Sequence, residues 1–152
     1  MLTVIIPTHN QAAELATLLE ALVPAAVDGL VREVIVADGG STDLTLEICE
    51  DAGAVVVTGG IAEAARAAKA EWVLLAPVTL QLAPTWMDGL KAHLSKGRRG
   101  VVLSGRREPG LLARLRPAPT AVLISGEALS RGAGEDDVAA LVRKLGAGLP
   151  RI

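Results

Sequence analysis

Six short apolar runs, separated by stretches with helical spacing, constrain this chain more than any other feature. The runs fall at Leu2–Ile6, Glu33–Ala37, Ala54–Thr58, Trp72–Ala76, Val101–Ser104 and Thr120–Ser125. They are rich in β-branched and other aliphatic residues and are bounded by turn formers, so they read as strands. Between the early ones, Leu15, Leu18, Leu19 and Leu22 recur at the spacing of one helical face, and Leu44 with Ile48 continues that pattern in the next segment. A third, Ala-rich helix is expected around Ile61 to Lys69. A fourth opens near Pro84, a residue suited to a first helical turn, and carries Trp86, Leu90 and Leu94 on one face. Strands that are apolar throughout, rather than alternating, belong to a sheet covered on both sides. The expected fold is therefore α/β, a mainly parallel sheet with helices on both faces and right-handed crossovers. No internal repeat or linker divides it, so residues 1–152 are expected to form a single domain.

Composition narrows the core and the partners. Hydrophobic residues make up 51% of the 152, yet Phe and Tyr are absent and Trp72 and Trp86 are the only aromatics, so the core must be packed from aliphatic side chains. A formal net charge of −2 argues against a nucleic-acid partner, which calls for a strongly basic surface. No apolar run reaches the roughly 18–20 residues of a membrane-spanning helix, and the start MLTVIIPTHN lacks the basic flank of a signal peptide. A cytoplasmic location is the expectation. The single cysteine, Cys49, excludes an internal disulfide and lies on an apolar helical face, where it reads as a small buried hydrophobe. His93, in the fourth helix, reads as packed or solvated rather than as a ligand.

In sheets of this kind ligands bind beyond the carboxyl ends of the strands, which directs attention to the residues just after each run. After the first come Pro7, Thr8, His9 and Asn10; after the second, Asp38-Gly39-Gly40-Ser41-Thr42-Asp43; after the fourth, Pro77-Val78-Thr79. Thr8, His9 and Asn10 can hydrogen-bond a polar ligand, or Asn10 can cap a helix beginning near Gln11 while Thr8 satisfies the turn. Asp43 suits the first turn of a helix, where an acid complements the dipole. Asp38 comes directly after a buried strand, so its carboxylate needs a partner, and the base or ribose of a nucleotide would supply one. No G-x-G-x-x-G is found after the first strand, which argues against a dinucleotide-binding dehydrogenase.

The segments LTVIIPTHNQAAELATLLEAL and REVIVADGGSTDLTLEICEDAGAVVV resemble the N-terminal half of family 2 glycosyltransferases, which have the GT-A fold, with their IIPxxN start and DGGSTD turn. The resemblance implies that Pro7, Thr8, Asn10 and Asp38, with His9 at a position the family varies, hold the base and ribose of a UDP- or GDP-sugar. AEWVLLAPVTLQLAPTWMDGL resembles the segment that ends in the family's D-x-D motif. The two aspartates that hold Mg or Mn there fall on Pro77 and Thr79, neither of which replaces a carboxylate, so no metal site is expected. The arginine motif expected upstream is also missing, with Arg66 several residues late. Toward the C-terminus, TAVLISGEALSRGAGEDDVAALVRKLGAG resembles the acceptor-side segment, whose aspartate is the general base of inverting members. Asp136 is the implied base, with Asp137 the alternative; both also suit an acidic first turn before a helix bearing Val138, Leu141, Val142 and Leu145 on one face. Arg106, Arg107, Arg114 and Arg116 lie between the two half-sites and are the candidate diphosphate contacts of a metal-free site. The function implied is inverting transfer of a sugar from a nucleotide sugar to an acceptor hydroxyl; the alternative is a catalytically degenerate domain that binds a nucleotide or a protein. The acceptor is unspecified, and self-association is compatible with either reading.

Overall fold

A computed structural model describes residues 1–97, 100–107, 109–111, 115–134 and 137–152. In chain order it contains β1 (Leu2–Thr8), α1 (Ala12–Val27), β2 (Val31–Asp38), α2 (Thr45–Asp51), β3 (Val55–Val57) and α3 (Gly60–Ala67). Next come β4 (Trp72–Leu75), α4 (Trp86–Ser95), β5 (Val101–Ser104), β6 (Thr120–Ser125), α5 (Gly126–Gly132) and α6 (Val138–Leu145). All six expected strands are present. They form one sheet in the order β3-β2-β1-β4-β6-β5.

The pleat of β1 sorts the core into two layers, because successive side chains point to opposite faces. Leu2, Val4 and Ile6 pack with Leu15, Leu18 and Leu22 of α1, Cys49 of α2 and Leu90 of α4. Ile5 joins the opposite layer, with Ala64 and Ala65 of α3, Leu129 of α5 and Leu141 and Val142 of α6. Helices therefore cover both faces. The expected apolar face of α1 is the buried one, and Val138 and Leu145 flank the buried pair of α6. Two expectations need correction. Leu44 is 60% exposed and is the residue just before α2, which begins at Thr45, rather than lying on its buried face. Pro84 sits in the turn before α4, which begins at Trp86. Among the described residues no helix is long and apolar enough to cross a membrane.

Strands β1, β2, β3 and β4 run parallel, whereas β6 is antiparallel to both β4 and β5. Two reversals restore the direction, so β5 ends at the same edge of the sheet as β1, β2 and β4. The connection from Gly105 to Pro119 consequently begins and finishes at the carboxyl end of the parallel strands. Beyond β5 the last residues add a short parallel rung: Val102 donates to the Pro150 carbonyl at 2.9 Å, Ile152 to Val102 at 3.0 Å and Ser104 to Ile152 at 2.9 Å.

Candidate functional site

The two turns singled out by the sequence meet at the carboxyl ends of β1 and β2, where Thr8 is in register with Asp38. The Gly39 amide continues the ladder, donating to the Thr8 carbonyl at 2.9 Å. Gly39 passes so close to the first turn that a Cβ there would lie 3.2 Å from that of His9. Gly40 then takes a φ of +91°, a conformation that favours glycine, and the chain folds back over Asp38.

That fold-back provides the partners that a buried Asp38 requires. Its carboxylate is only 5% exposed, and it accepts from the Gly40 and Ser41 amides at 3.0 Å each and from the Ser41 hydroxyl at 2.5 Å. Because these donors belong to the turn itself, Asp38 does not need a ligand to be buried, contrary to the expectation from sequence. Burial works against its ionisation, but the Ser41 hydroxyl, the two amides and the nearby His9 outweigh it and hold the carboxyl below its ordinary range. A carboxylate oriented from behind in this way keeps lone pairs for a donor in front of it.

Asn10 does not cap α1, whose first position is preceded by Gln11 without a side-chain cap. Its Oδ1 instead accepts from the Thr42 amide at 2.7 Å and the Asp43 amide at 3.4 Å, while its own amide donates to the Ser41 hydroxyl at 2.9 Å. Asn10 holds a φ of +50°, the left-handed conformation that asparagine tolerates better than most residues. Asp43 completes the brace from the other side. It accepts from the Thr45 amide at 3.0 Å and hydroxyl at 2.5 Å, and from the Ala12 amide of α1 at 3.3 Å. Both turns are thus locked to each other before any ligand arrives. Within this brace Thr8 is 5% exposed, and its hydroxyl has no hydrogen-bond partner among the described residues. Pro7 is half-buried, and His9 and Asn10 are exposed.

One strand away, the Ala76 amide donates to the Ile5 carbonyl at 2.9 Å, which carries β4 alongside β1 as far as Pro77. Pro77 to Leu80 form a turn closed by a 2.9 Å bond from the Leu80 amide to the Pro77 carbonyl. At the two positions where the resemblance puts metal-binding aspartates, the side chains are a pyrrolidine ring and an exposed threonine. Among the described residues no group of three His, Cys, Asp or Glu side chains could hold a metal ion. Pro77 and Thr79 themselves offer no carboxylate to a Mg or Mn ion. Arg106 is nearby, its amide donating to the Gln81 carbonyl at 2.8 Å. Arg106, Arg107 and Arg116 are exposed. Arg114 and Asp136 lie outside the described residues. Asp137 is exposed and caps α6, accepting from the Ala139 amide at 3.0 Å. Cys49 is fully buried, where burial and then the charge of Asp38 push its thiol pKa up. His93 is packed, 5% exposed.

Two contributors escape sequence reasoning. Ser41 reads as part of a helix opening but is the side-chain partner of Asp38; an Asp with a Ser three residues later is the signal that could have found it. Gly105 carries no signal of its own. A Cβ there would lie 2.6 Å from the Pro119 carbonyl and 2.9 Å from Leu80 Cδ1, so the residue must be glycine for β5 to leave along the Leu80–Gln81 segment.

No curated protein sequence matches the chain. Among solved structures it is similar to mannosyl-3-phosphoglycerate synthase from Rubrobacter xylanophilus, at 16% identity and a TM-score of 0.66, covering 99% of this chain and 65% of that one. It is also similar to glucosyl-3-phosphoglycerate synthase from Mycobacterium tuberculosis, at 25% identity and a TM-score of 0.68, covering 99% of this chain and 70% of the other. A structure of the latter enzyme with Mn²⁺, UDP and glucosyl-3-phosphoglycerate aligns at 22% identity and a TM-score of 0.67, covering 99% and 68%. The chain spans about two thirds of the length of these proteins. These likenesses identify the fold as GT-A. The model of the family "Glycosyl transferase family 2" matches residues 3–120, a span that contains both braced turns, the Pro77–Thr79 turn and the arginine segment, and by that match the chain belongs to glycosyl transferase family 2.

Proposed function

We propose that the chain binds a nucleotide sugar, a UDP- or GDP-sugar, across the braced turns, and transfers the sugar with inversion to an acceptor hydroxyl. The observation that carries this reading is the pair of turns at Thr8–Asn10 and Asp38–Asp43, rigid and hydrogen-bonded to each other, inside the segment matched by the family model. Pro7, Thr8, His9 and Asn10 line the side of the base, with the exposed His9 and Asn10 open to it. Asp38, ionised and fixed from behind by Ser41, accepts from the ribose hydroxyls. Asp136, with Asp137 as alternative, takes the proton from the attacking hydroxyl. The relatives that make mannosyl- or glucosyl-3-phosphoglycerate suggest 3-phosphoglycerate as the first acceptor to try.

A second reading, a nucleotide-binding domain that no longer transfers sugar, is favoured by one observation: Pro77 and Thr79 stand where the metal-binding aspartates would be. Calorimetric titration with UDP, GDP and their sugar conjugates tests the binding common to both. Release of nucleoside diphosphate when 3-phosphoglycerate or another hydroxyl acceptor is added separates transfer from binding alone. Absence of binding by any of these nucleotides refutes both.

A further inference from the structure

We infer that this chain binds the diphosphate of its nucleotide without a divalent cation, using Arg106 as the cationic group; the inference rests on the nucleotide-binding reading above. The first observation concerns the residues in the metal's place. Pro77 offers no side-chain ligand, its carbonyl is engaged by the Leu80 amide, and Thr79 offers one neutral hydroxyl, a poor donor set for a hard cation that takes six or more oxygens. Asp38, a carboxylate of the braced turns, already accepts three hydrogen bonds.

The second observation is how the chain delivers a positive charge to that place. Strand β5 lies three positions from β1, about 14 Å away at ordinary strand spacing. Its exit is nevertheless drawn back toward β4. Gly105 donates to the Pro119 carbonyl at 2.9 Å, one step further along the β5–β6 ladder, and Arg106 then donates to the Gln81 carbonyl at 2.8 Å, so the Arg106 backbone is fastened to the strip of chain just after Pro77–Thr79. Gly105 is the residue that permits this contact, since a Cβ would strike Pro119, Leu80 and Gln81. From the braced turns to Arg106 the backbone is continuously linked: Thr8 to Gly39, Ile5 to Ala76, Pro77 to Leu80, Gln81 to Arg106. In the proposed mode the base lies at the first link and the diphosphate at the last, along the same end of the sheet.

The third observation is that Arg106 is exposed and has no ion pair among the described residues, so its guanidinium faces no competing carboxylate there. A planar guanidinium matches two phosphate oxygens at once and keeps its charge at every accessible pH. Arg107, next along the same exit, supplies a second charge to the same end of the sheet.

Calorimetry with uridine and UDP, and with guanosine and GDP, in EDTA and again in Mn²⁺, tests the inference on the wild-type chain and on Arg106→Gln. Two results are expected. In EDTA the diphosphate of the preferred base binds at least about 10-fold tighter than its nucleoside, and Mn²⁺ changes that ratio less than about 2-fold. Arg106→Gln weakens the diphosphate by about 10- to 100-fold while leaving the nucleoside unchanged. Arg106→Lys recovers part of the loss. Thermal unfolding of each variant, with the wild-type midpoint retained, shows that the exposed substitution leaves the fold intact. A nucleoside that binds while Mn²⁺ is required for the diphosphate gain overturns metal independence and leaves the nucleotide reading standing. Equal weakening of nucleoside and diphosphate, or none of either, overturns the role of Arg106. If neither nucleoside nor diphosphate binds in any condition, the nucleotide reading falls and this inference falls with it.

Discussion

Replacing Asp38 separates its work in the turn from its work on a ligand. Asp38→Ala removes the acceptor of two amides and one hydroxyl at a position only 5% exposed. Hydrogen bonds to a charged group contribute about 1.5–3 kcal/mol each when buried, but these amides lie at a loop surface where water substitutes in part. The total loss is then about 2–4 kcal/mol. For a chain of this size each kcal/mol moves the melting temperature by about 2–4 °C, so Asp38→Ala should melt roughly 5–15 °C below the wild type. Asp38→Asn behaves differently. Its amide oxygen still accepts from Gly40 and Ser41, and its NH₂ donates to the Ser41 hydroxyl, so only charge assistance is lost, about 1 kcal/mol. The pH dependence has a definite sign. The folded carboxyl titrates below the unfolded value of 3.8, so its stabilisation is fully present above pH 3.8 and is lost as the pH falls through the lower folded value. Wild type and Asp38→Asn should therefore converge in melting temperature on acidification, with Asp43, also held low by Thr45, sustaining some slope in both. Differential scanning calorimetry from pH 7 downward reads all of this. A gap between wild type and Asp38→Asn that widens on acidification refutes the assignment, as does an Asn variant no more stable than the Ala variant. With the turn preserved, a loss of nucleotide binding in Asp38→Asn isolates the ligand role of the charge.

Three further outcomes are expected. Asn10→Ala should be less stable than Asn10→Gly by about 1 kcal/mol in urea unfolding, because both lose the brace to Thr42 but only alanine suffers at a φ of +50°; equal losses would remove strain from the account. Gly105→Ala should cost about 1–3 kcal/mol in the same assay, since its methyl meets the Pro119 and Gln81 carbonyls as well as Leu80, and a neutral result would mean that the close approach is not maintained. Cys49, fully buried with a raised thiol pKa, should react with iodoacetamide at pH 8 at least about 100-fold more slowly in the native chain than in the unfolded one; comparable rates would place the thiol outside the core.

The strands are legible in the sequence because each is a short, mainly aliphatic run bounded by turn formers, and α1 because four leucines mark one side of it. Leu44 misleads for a local reason: helical spacing does not say where a helix begins, and α2 begins one residue after it, at Thr45. The reversal of β6 is not legible, because Thr120–Ser125 is buried on both faces whichever way it runs. At the site, the identity and position of Thr8, Asn10 and Asp38 can be read, but not their partners. Asn10 bonds to residues 32 and 33 positions away, and no spacing rule connects them. Gly105 is silent in the sequence because its constraint comes from Pro119 and Leu80, which only the folded chain brings together.

The rung formed by Pro150–Ile152 gives the two margins of the sheet different fates. At β3 the outer margin is a three-residue strand whose Val55 and Val56 are 44% and 37% exposed, and its outward amides and carbonyls have no strand partner among the described residues. At β5 the corresponding groups are occupied by the chain's own tail. Among the described residues, then, a strand arriving from outside the sheet meets an open ladder beside β3 and a ladder already taken beside β5.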